Sequence, residues 1–190
     1  DAAKALTWVD GLRSKRKIAA VNLMLPKRLD GTGPFASGTC EGHSPNLELA
    51  IKTLISHNIS VVVAAGDDGN KSALAWPACL PGVISVGATD QRDRVWANSN
   101  SSAQLTLLAP GVHVESARIK SDDLTDRSGT FAAAAHVTGA IALYKQKYPN
   151  ATVNQVRNAL TGGSDQPTIT DSNGITTPFL RVDEMLTKAE

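Results

Sequence analysis

The sequence predicts an α/β domain built on a parallel sheet with helices on both faces. Short apolar runs without strict alternation read as strands buried on both sides, helical patterns alternate with them, and Gly or Pro turn signals bound them. The chain of 190 residues fits one domain, read over 1–190. Its 42% apolar and 19% charged residues are those of a globular chain and exclude disorder.

Taken in order, "TWVDGLR" reads as the end of a helix and "KIAAVNLML" as the first strand. Residues 27–43, rich in Gly, Thr, Pro and Ser, read as a loop. Ser44 as N-cap and Pro45 at the first helical position open a helix whose apolar face is Leu47, Ala50, Ile51 and Leu54. "NISVVVAAG", "GVISVGA" and "QLTLLAPG" read as three further strands, the last stopped by Pro110. A long helix is predicted from near Thr130 to Tyr148, ended by Pro149. Thr152 with Gln155 forms a capping box for the next helix. A Gly/Ser/Asp-rich loop and a short helix near 182–188 complete the chain. In such sheets ligands bind at the carboxyl ends of the strands, so chemistry is sought after Leu25, Ala65 and Ala88.

A net charge of +1 supplies no field of one sign for nucleic acid or anionic lipid, and neither is expected as a partner. The basic run Arg13 to Lys17 reads as a solvated helix end leading into a strand, with a processing site or a polyanion contact as the other readings. No apolar run approaches the ~18 residues of a membrane span. Without an initiator Met or a signal-like start, Asp1 reads as the end of a processed or excised chain. Two cysteines, Cys40 and Cys79, suit one staple or a reduced buried pair. A bridge would close a loop of about 40 residues, worth roughly 4 kcal/mol by chain entropy, and would favour an exported protein. The acidic pairs Asp67-Asp68 and Asp122-Asp123 lack metal-ligand spacing, and no metal site is predicted.

Four segments, "AAVNLML", "VVVAAGDDG" with "PACLPGVISVGATD", "LLAPG" and "SGTFAAAAHVTGAIAL", occur in one order and spacing. Together they resemble the C-terminal half of the subtilisin-like serine proteases, the subtilase family. The poorest stretch of the match is 27–42. The tail "NGITTPFLRVDEML" and both cysteine positions resemble an exported bacterial branch, implying an extracellular or periplasmic protein. The fold implied is a three-layer parallel sheet with helices on both faces, of which this chain carries the C-terminal half. In the family, the turn before the long helix reads Gly-Thr-Ser and its Ser attacks the scissile carbonyl. The matching residues here are Gly129, Thr130 and Phe131. A benzyl side chain offers no lone pair and forms no acyl-enzyme.

The family's oxyanion donor is an Asn after Ala-Ala-Gly, and Asp67 stands there; an ionised carboxylate only accepts hydrogen bonds. Loss of one such donor typically costs ~10²–10³ in turnover. The family's Asp and His motifs lie upstream, and this chain starts after both. Asp10-Gly11 and Asp30-Gly31 read as turns. His43 and His113 fall in loops, His57 near a helix end, and His136 reads as a packed structural histidine. Ser128 and Thr130 lack a base that would activate them as stand-in nucleophiles.

The family's peptide-pairing edge continues as Ser-Leu-Gly; here it is Met24, Leu25 and Pro26, and proline removes one N–H. Ala64, Ala65 and Gly66 keep the other wall of the substrate pocket, so the resemblance implies a peptide in the ancestral cleft. It also implies calcium as a cofactor of the family, with no site placed here. A subtilase-like sheet would leave the 17–25 strand as an apolar edge, which predicts a cover: the upstream half, a second copy, or another protein. The reading from sequence is a non-catalytic binding or scaffold module derived from a serine endopeptidase. The alternative is a C-terminal piece of an active endopeptidase whose Asp and His lie upstream.

Overall fold

The computed structural model describes residues 1–25, 35–36, 38, 40–162 and 166–187. Its strands are β1 (Ala20–Leu23), β2 (Phe35–Ala36), β3 (Ser60–Ala64), β4 (Leu74–Ala75), β5 (Ile84–Thr89), β6 (Leu107–Pro110), β7 (Val114–Ala117), β8 (Leu124–Arg127), β9 (Thr168–Thr170) and β10 (Thr176–Pro178). Its α-helices are α1 (Ala2–Gly11), α2 (Pro45–Ser56), α3 (Thr130–Lys147), α4 (Val153–Thr161) and α5 (Val182–Thr187). The apolar runs predicted as strands form a parallel sheet in the order β1-β3-β5-β6.

Side-chain alternation in β3 divides the core into two layers. Val61 and Val63 face a cluster with Leu47, Ile51 and Leu54 of α2, and Leu6 of α1 joins it. Val62 points the other way, into Ile84, Val86, Leu107 and the Ala133, Val137 and Ile141 face of α3. The result is three layers, with α1 and α2 on one face of the sheet and α3 across all four strands of the other. A strand with both faces covered has no solvent-facing row of side chains, which is why these runs carry no strict alternation.

The two edges of the sheet differ. Beyond β6, Phe179 bridges to Leu108, and Leu180 donates its N–H to Leu108 (2.8 Å). On the far side, β1 has no strand partner among the described residues. Ala20, Val21 and Asn22 are accordingly only half-buried, and Leu23 alone is buried, so the expectation of a buried first strand is corrected for this chain. Asn22 Oδ1 is enclosed yet has no hydrogen-bond partner. The same side exposes Ala135, His136, Gly139, Ala142 and Leu143 of α3.

The helix ends hold two further surprises. Ser44 precedes α2 as expected, but its side chain makes no capping bond. The buried Glu48 carboxylate instead ties down the loop that enters the helix, accepting from the N–H groups of Gly42 (3.0 Å), His43 (3.0 Å) and Ser44 (3.2 Å). The predicted box at Thr152 and Gln155 is present. Asp10, read from sequence as part of a turn, lies inside α1 and accepts from or pairs with His57 Nδ1 at 2.7 Å. The antiparallel pairs β7–β8 and β9–β10 fall in segments that sequence reading left as polar or loop. The predicted loop around Asp30-Gly31 and the last helical residue, Lys188, lie outside the described residues.

Cys40 and Cys79 form a disulfide with Cα atoms 5.6 Å apart, an ordinary separation for a bridge. It joins the loop before α2 to the segment before β5, and both cysteines are buried in the α1–α2 layer.

Candidate functional site

The parallel sheet places the ends of β1 and β3 side by side. Leu23 pairs with Val63, so Met24 and Leu25 leave β1 where Ala64 and Ala65 leave β3. Met24 is exposed and Leu25 half-buried, while Ala65 is fully buried. Pro26 lies outside the described residues.

Gly66 turns the chain with φ +103°, a conformation side chains rarely adopt. Asn100 makes the same demand from another direction, because a Cβ at Gly66 would overlap its side-chain amide. Asn100 is wholly buried and fully engaged. Its Nδ2 donates to Ala65 O (3.1 Å), and its Oδ1 accepts from the N–H groups of Asp68 (3.1 Å) and Asn70 (2.9 Å). This one amide holds the loop that carries Asp67. Sequence reading missed it, since an Asn in a Ser/Asn-rich run has no periodicity to mark it.

The start of α3 closes against that loop. Thr130 donates its backbone N–H (2.8 Å) and its hydroxyl (2.7 Å) to Asp67 Oδ1. The hydroxyl oxygen also accepts from Gly66 N–H (3.1 Å), so both its capacities are used. Gly129 cannot cap the helix through a side chain, and the exposed Asp67 carboxylate supplies the missing acceptor from 63 residues away. Negative charge there is favoured by the unpaired N–H groups and dipole of the helix N-terminus. Phe131 is half-buried, and its ring lies over Gly129, where an added Cβ would overlap it and approach Asp67 Oδ2 at 2.8 Å.

The structure therefore brings Ala64, Ala65, Gly66, Asp67, Thr130 and Phe131 into one site, with Met24 and Leu25 beside it. Chemically it holds a carboxylate, an engaged hydroxyl and a benzyl group. Ser128 is no more reactive: its Oγ accepts from the backbone N–H of His113 (3.0 Å), while the His113 ring pairs with Asp126 (2.9 Å). His43 and His57 lie near the two ends of α2. His136 is exposed on α3 with Nδ1 3.0 Å from Ala132 O. The expectation of a packed His136 is thus corrected: nothing among the described residues covers that face of the helix.

Among the described residues, no three His, Cys, Asp or Glu side chains cluster together, and no helix is long and apolar enough to cross a membrane.

Comparison with known proteins gives one consistent result. The profile of the subtilase family, peptidase S8, matches residues 18–175. An extracellular serine proteinase of Thermus sp. (strain Rt41A) is 43% identical over 120 residues, covering 63% of this chain and 29% of its own length. Subtilisin BL of Lederbergia lenta is 38% identical over 117 residues, 62% of this chain and 43% of its own. Among solved structures, a cold-adapted subtilisin-like serine proteinase superposes with a TM-score of 0.74 at 25% identity, over 96% of this chain and 62% of that one. A protease from Pseudoalteromonas arctica gives 0.72 at 28% identity, over 90% and 51%. The chain thus spans less than half the length of these two curated relatives and between half and two thirds of the two solved chains.

Proposed function

The chain belongs to the subtilase family, and from that premise we propose that it is a pseudoprotease: a subtilase domain that binds or scaffolds and does not hydrolyse peptides. One observation carries the reading. At the α3 turn, Phe131 stands in the nucleophile's place, and the Asp67 carboxylate accepts both donors of Thr130.

A serine protease needs two things at this turn. An oxygen must attack the carbonyl, and donors must meet the oxyanion that forms. Phe131 has no attacking atom, and its ring lies over Gly129, beside the space the carbonyl would enter. Asp67 contributes an acceptor where a donor is needed, and its negative charge opposes a second negative charge nearby. The two substitutions reinforce each other, since replacing either one leaves the other defect intact.

What survives is the frame for an extended peptide. Met24 and Leu25 at the end of β1 and Ala64, Ala65 and Gly66 at the end of β3 form two neighbouring rims. A peptide held there would add main-chain hydrogen bonds without being cut. The open β1 edge, the unpartnered Asn22 Oδ1 and the exposed α3 face with His136 support a cover supplied by an upstream half of the fold, a second copy or another protein. The disulfide and the extracellular relative support an exported location.

The short span relative to its relatives favours a second reading: the C-terminal piece of a longer subtilase that supplies Asp and His upstream. The full-length protein, purified from its source, separates the two. Incubated with an unfolded protein substrate and analysed for new N-termini, it is expected to produce none. Cleavage that disappears on Ser128→Ala or Thr130→Val substitution would overturn the pseudoprotease reading and make this chain part of an enzyme.

A further inference from the structure

The loop from Gly66 to Lys71 has no helix or strand of its own, so bonds to other segments fix where Asp67 stands. The segment 98–101 runs beside it. Asn100 donates its N–H to Gly66 O (2.9 Å), Gly69 to Asn98 O (2.7 Å) and Ser101 to Asn70 O (2.8 Å). That segment is irregular too, so neither of the pair carries regular structure that could stiffen the other.

The β9–β10 turn joins both. Asp171 Oδ2 accepts from Ser101 Oγ (2.6 Å) and Lys71 Nζ (3.1 Å), and Asn173 Nδ2 donates to Lys71 O (2.8 Å) and Ser101 Oγ (3.0 Å). Each residue of the turn thus grips both segments at once, across 70 to 102 positions of chain. Lys71 Nζ adds a bond to Ser99 O (2.9 Å). The tip is set by its own bonds: Ile175 N–H donates to Asn173 Oδ1 (2.9 Å) and Gly174 N–H to Asp171 O (2.9 Å). The Asp171 side chain is only 8% exposed, and Ser101 is buried. Burial raises the Asp171 pKa, but the bonds from Ser101, the Ser172 N–H and Lys71 outweigh it and hold the carboxyl below the ordinary aspartate value. A seated carboxylate that loses a partner stays charged and poorly hydrated, so these contacts hold or fail together. They lie on the β6 side of the sheet, whose edge Phe179 and Leu180 cover, and the open β1 edge takes no part in them.

We propose that Asp171 and Asn173 are positioning residues of the candidate site: through Lys71 and Ser101 they hold the loop that aims Asp67 at Thr130. Neither bonds to Asp67 or Thr130 directly. The connection runs from Ser101 to its neighbour Asn100, whose Oδ1 accepts the N–H groups of Asp68 and Asn70, and so to Asp67 and the first turn of α3. From the other side, Lys71 is the next residue after Asn70, and its carbonyl and ammonium are both held by the turn. The geometry of the site is therefore set in part by a hairpin that lies outside it. This holds whether or not the α3 turn is catalytic.

The test is residue-resolved hydrogen exchange on the full-length protein under native conditions. In Asp171→Asn, and in the milder Asn173→Ala, the amides of Asp68, Gly69, Asn70 and Thr130 are expected to exchange about tenfold faster. The amides of Val86 and Leu108 in the sheet are expected to keep the parent rate. Glu48→Gln, which loosens the loop entering α2, is expected to leave Thr130 unchanged. Acceleration confined to residues 172–175, with Thr130 at the parent rate in both turn variants, would overturn the proposal. So would equal acceleration at Thr130 and Val86, which would mark a general loss of stability instead of a release of the site.

Discussion

Thr130 begins α3 with a backbone N–H and a hydroxyl that both find Asp67, so a carboxylate 63 residues away serves as the helix cap. Removing it leaves a buried N–H without its acceptor. Asp67→Ala is expected to cost about 1 kcal/mol, in the range of other lost caps. That is a fall of roughly 3 °C in Tm for a chain of this size, readable by thermal unfolding. Phe131→Ser alone is expected to leave hydrolysis by the full-length protein roughly 10²–10³-fold below that of the double change, because Asp67 still supplies an acceptor where a donor is needed. Only the double change with Asp67→Asn restores both an attacking oxygen and a donor.

Glu48 supplies the pH dependence at this scale. Burial raises its pKa, but the N–H groups of Gly42, Ser44 and His43 and the nearby Lys52 outweigh that and hold it below the ordinary glutamate value. A depressed folded-state pKa contributes stability that is complete above the unfolded value, about 4.3, and is lost as pH falls through the folded value. Denaturant melts should show Glu48→Gln less stable than the parent at pH 7, with the gap narrowing as pH falls below the ordinary glutamate range. An unchanged gap would place the effect in packing instead.

Between β3 and α3, the loop from Gly66 to Asn70 is set by a glycine and a buried amide. Gly66→Ala forces a Cβ into both a positive φ and the Asn100 side chain, and a loss of more than about 2 kcal/mol is expected by chemical denaturation. Reduction of Cys40–Cys79 should lower stability by up to roughly 4 kcal/mol, since the bridge closes a loop spanning 39 positions.

The four parallel strands, α2, α3 and the Thr152 box were legible in sequence because each depends on local pattern. The hairpins β7–β8 and β9–β10 were not, because their strands are short, polar and mostly exposed. The β9–β10 turn is fastened instead by distant groups: Asp171 accepts from Ser101 Oγ (2.6 Å) and Lys71 Nζ (3.1 Å). At the candidate site the sequence marked residues and not the bonds between them. Asp67 and Thr130 were each singled out, yet the bonds joining them span 63 residues and leave no trace in periodicity or spacing.

Across the whole molecule, the asymmetry of the sheet matters most. Phe179 and Leu180 cover the β6 edge, while the β1 edge and the small-residue face of α3 beside it have no cover among the described residues. An open parallel edge with Ala20, Val21 and Leu23 on it favours association. The chain alone is expected to sediment as more than a monomer at roughly tens of micromolar. A strictly monomeric chain at that concentration would show that the edge needs no partner.

The central claim is that this subtilase site cannot attack a carbonyl. Its most direct test is labelling of the full-length protein, purified from its source, with a fluorophosphonate that is captured only by an activated serine, with an active subtilisin as control. The account predicts a labelled control and no adduct on any peptide from 128–131 of this chain. A stoichiometric adduct on Ser128 or Thr130, lost on denaturation before labelling, would contradict it and identify a working nucleophile.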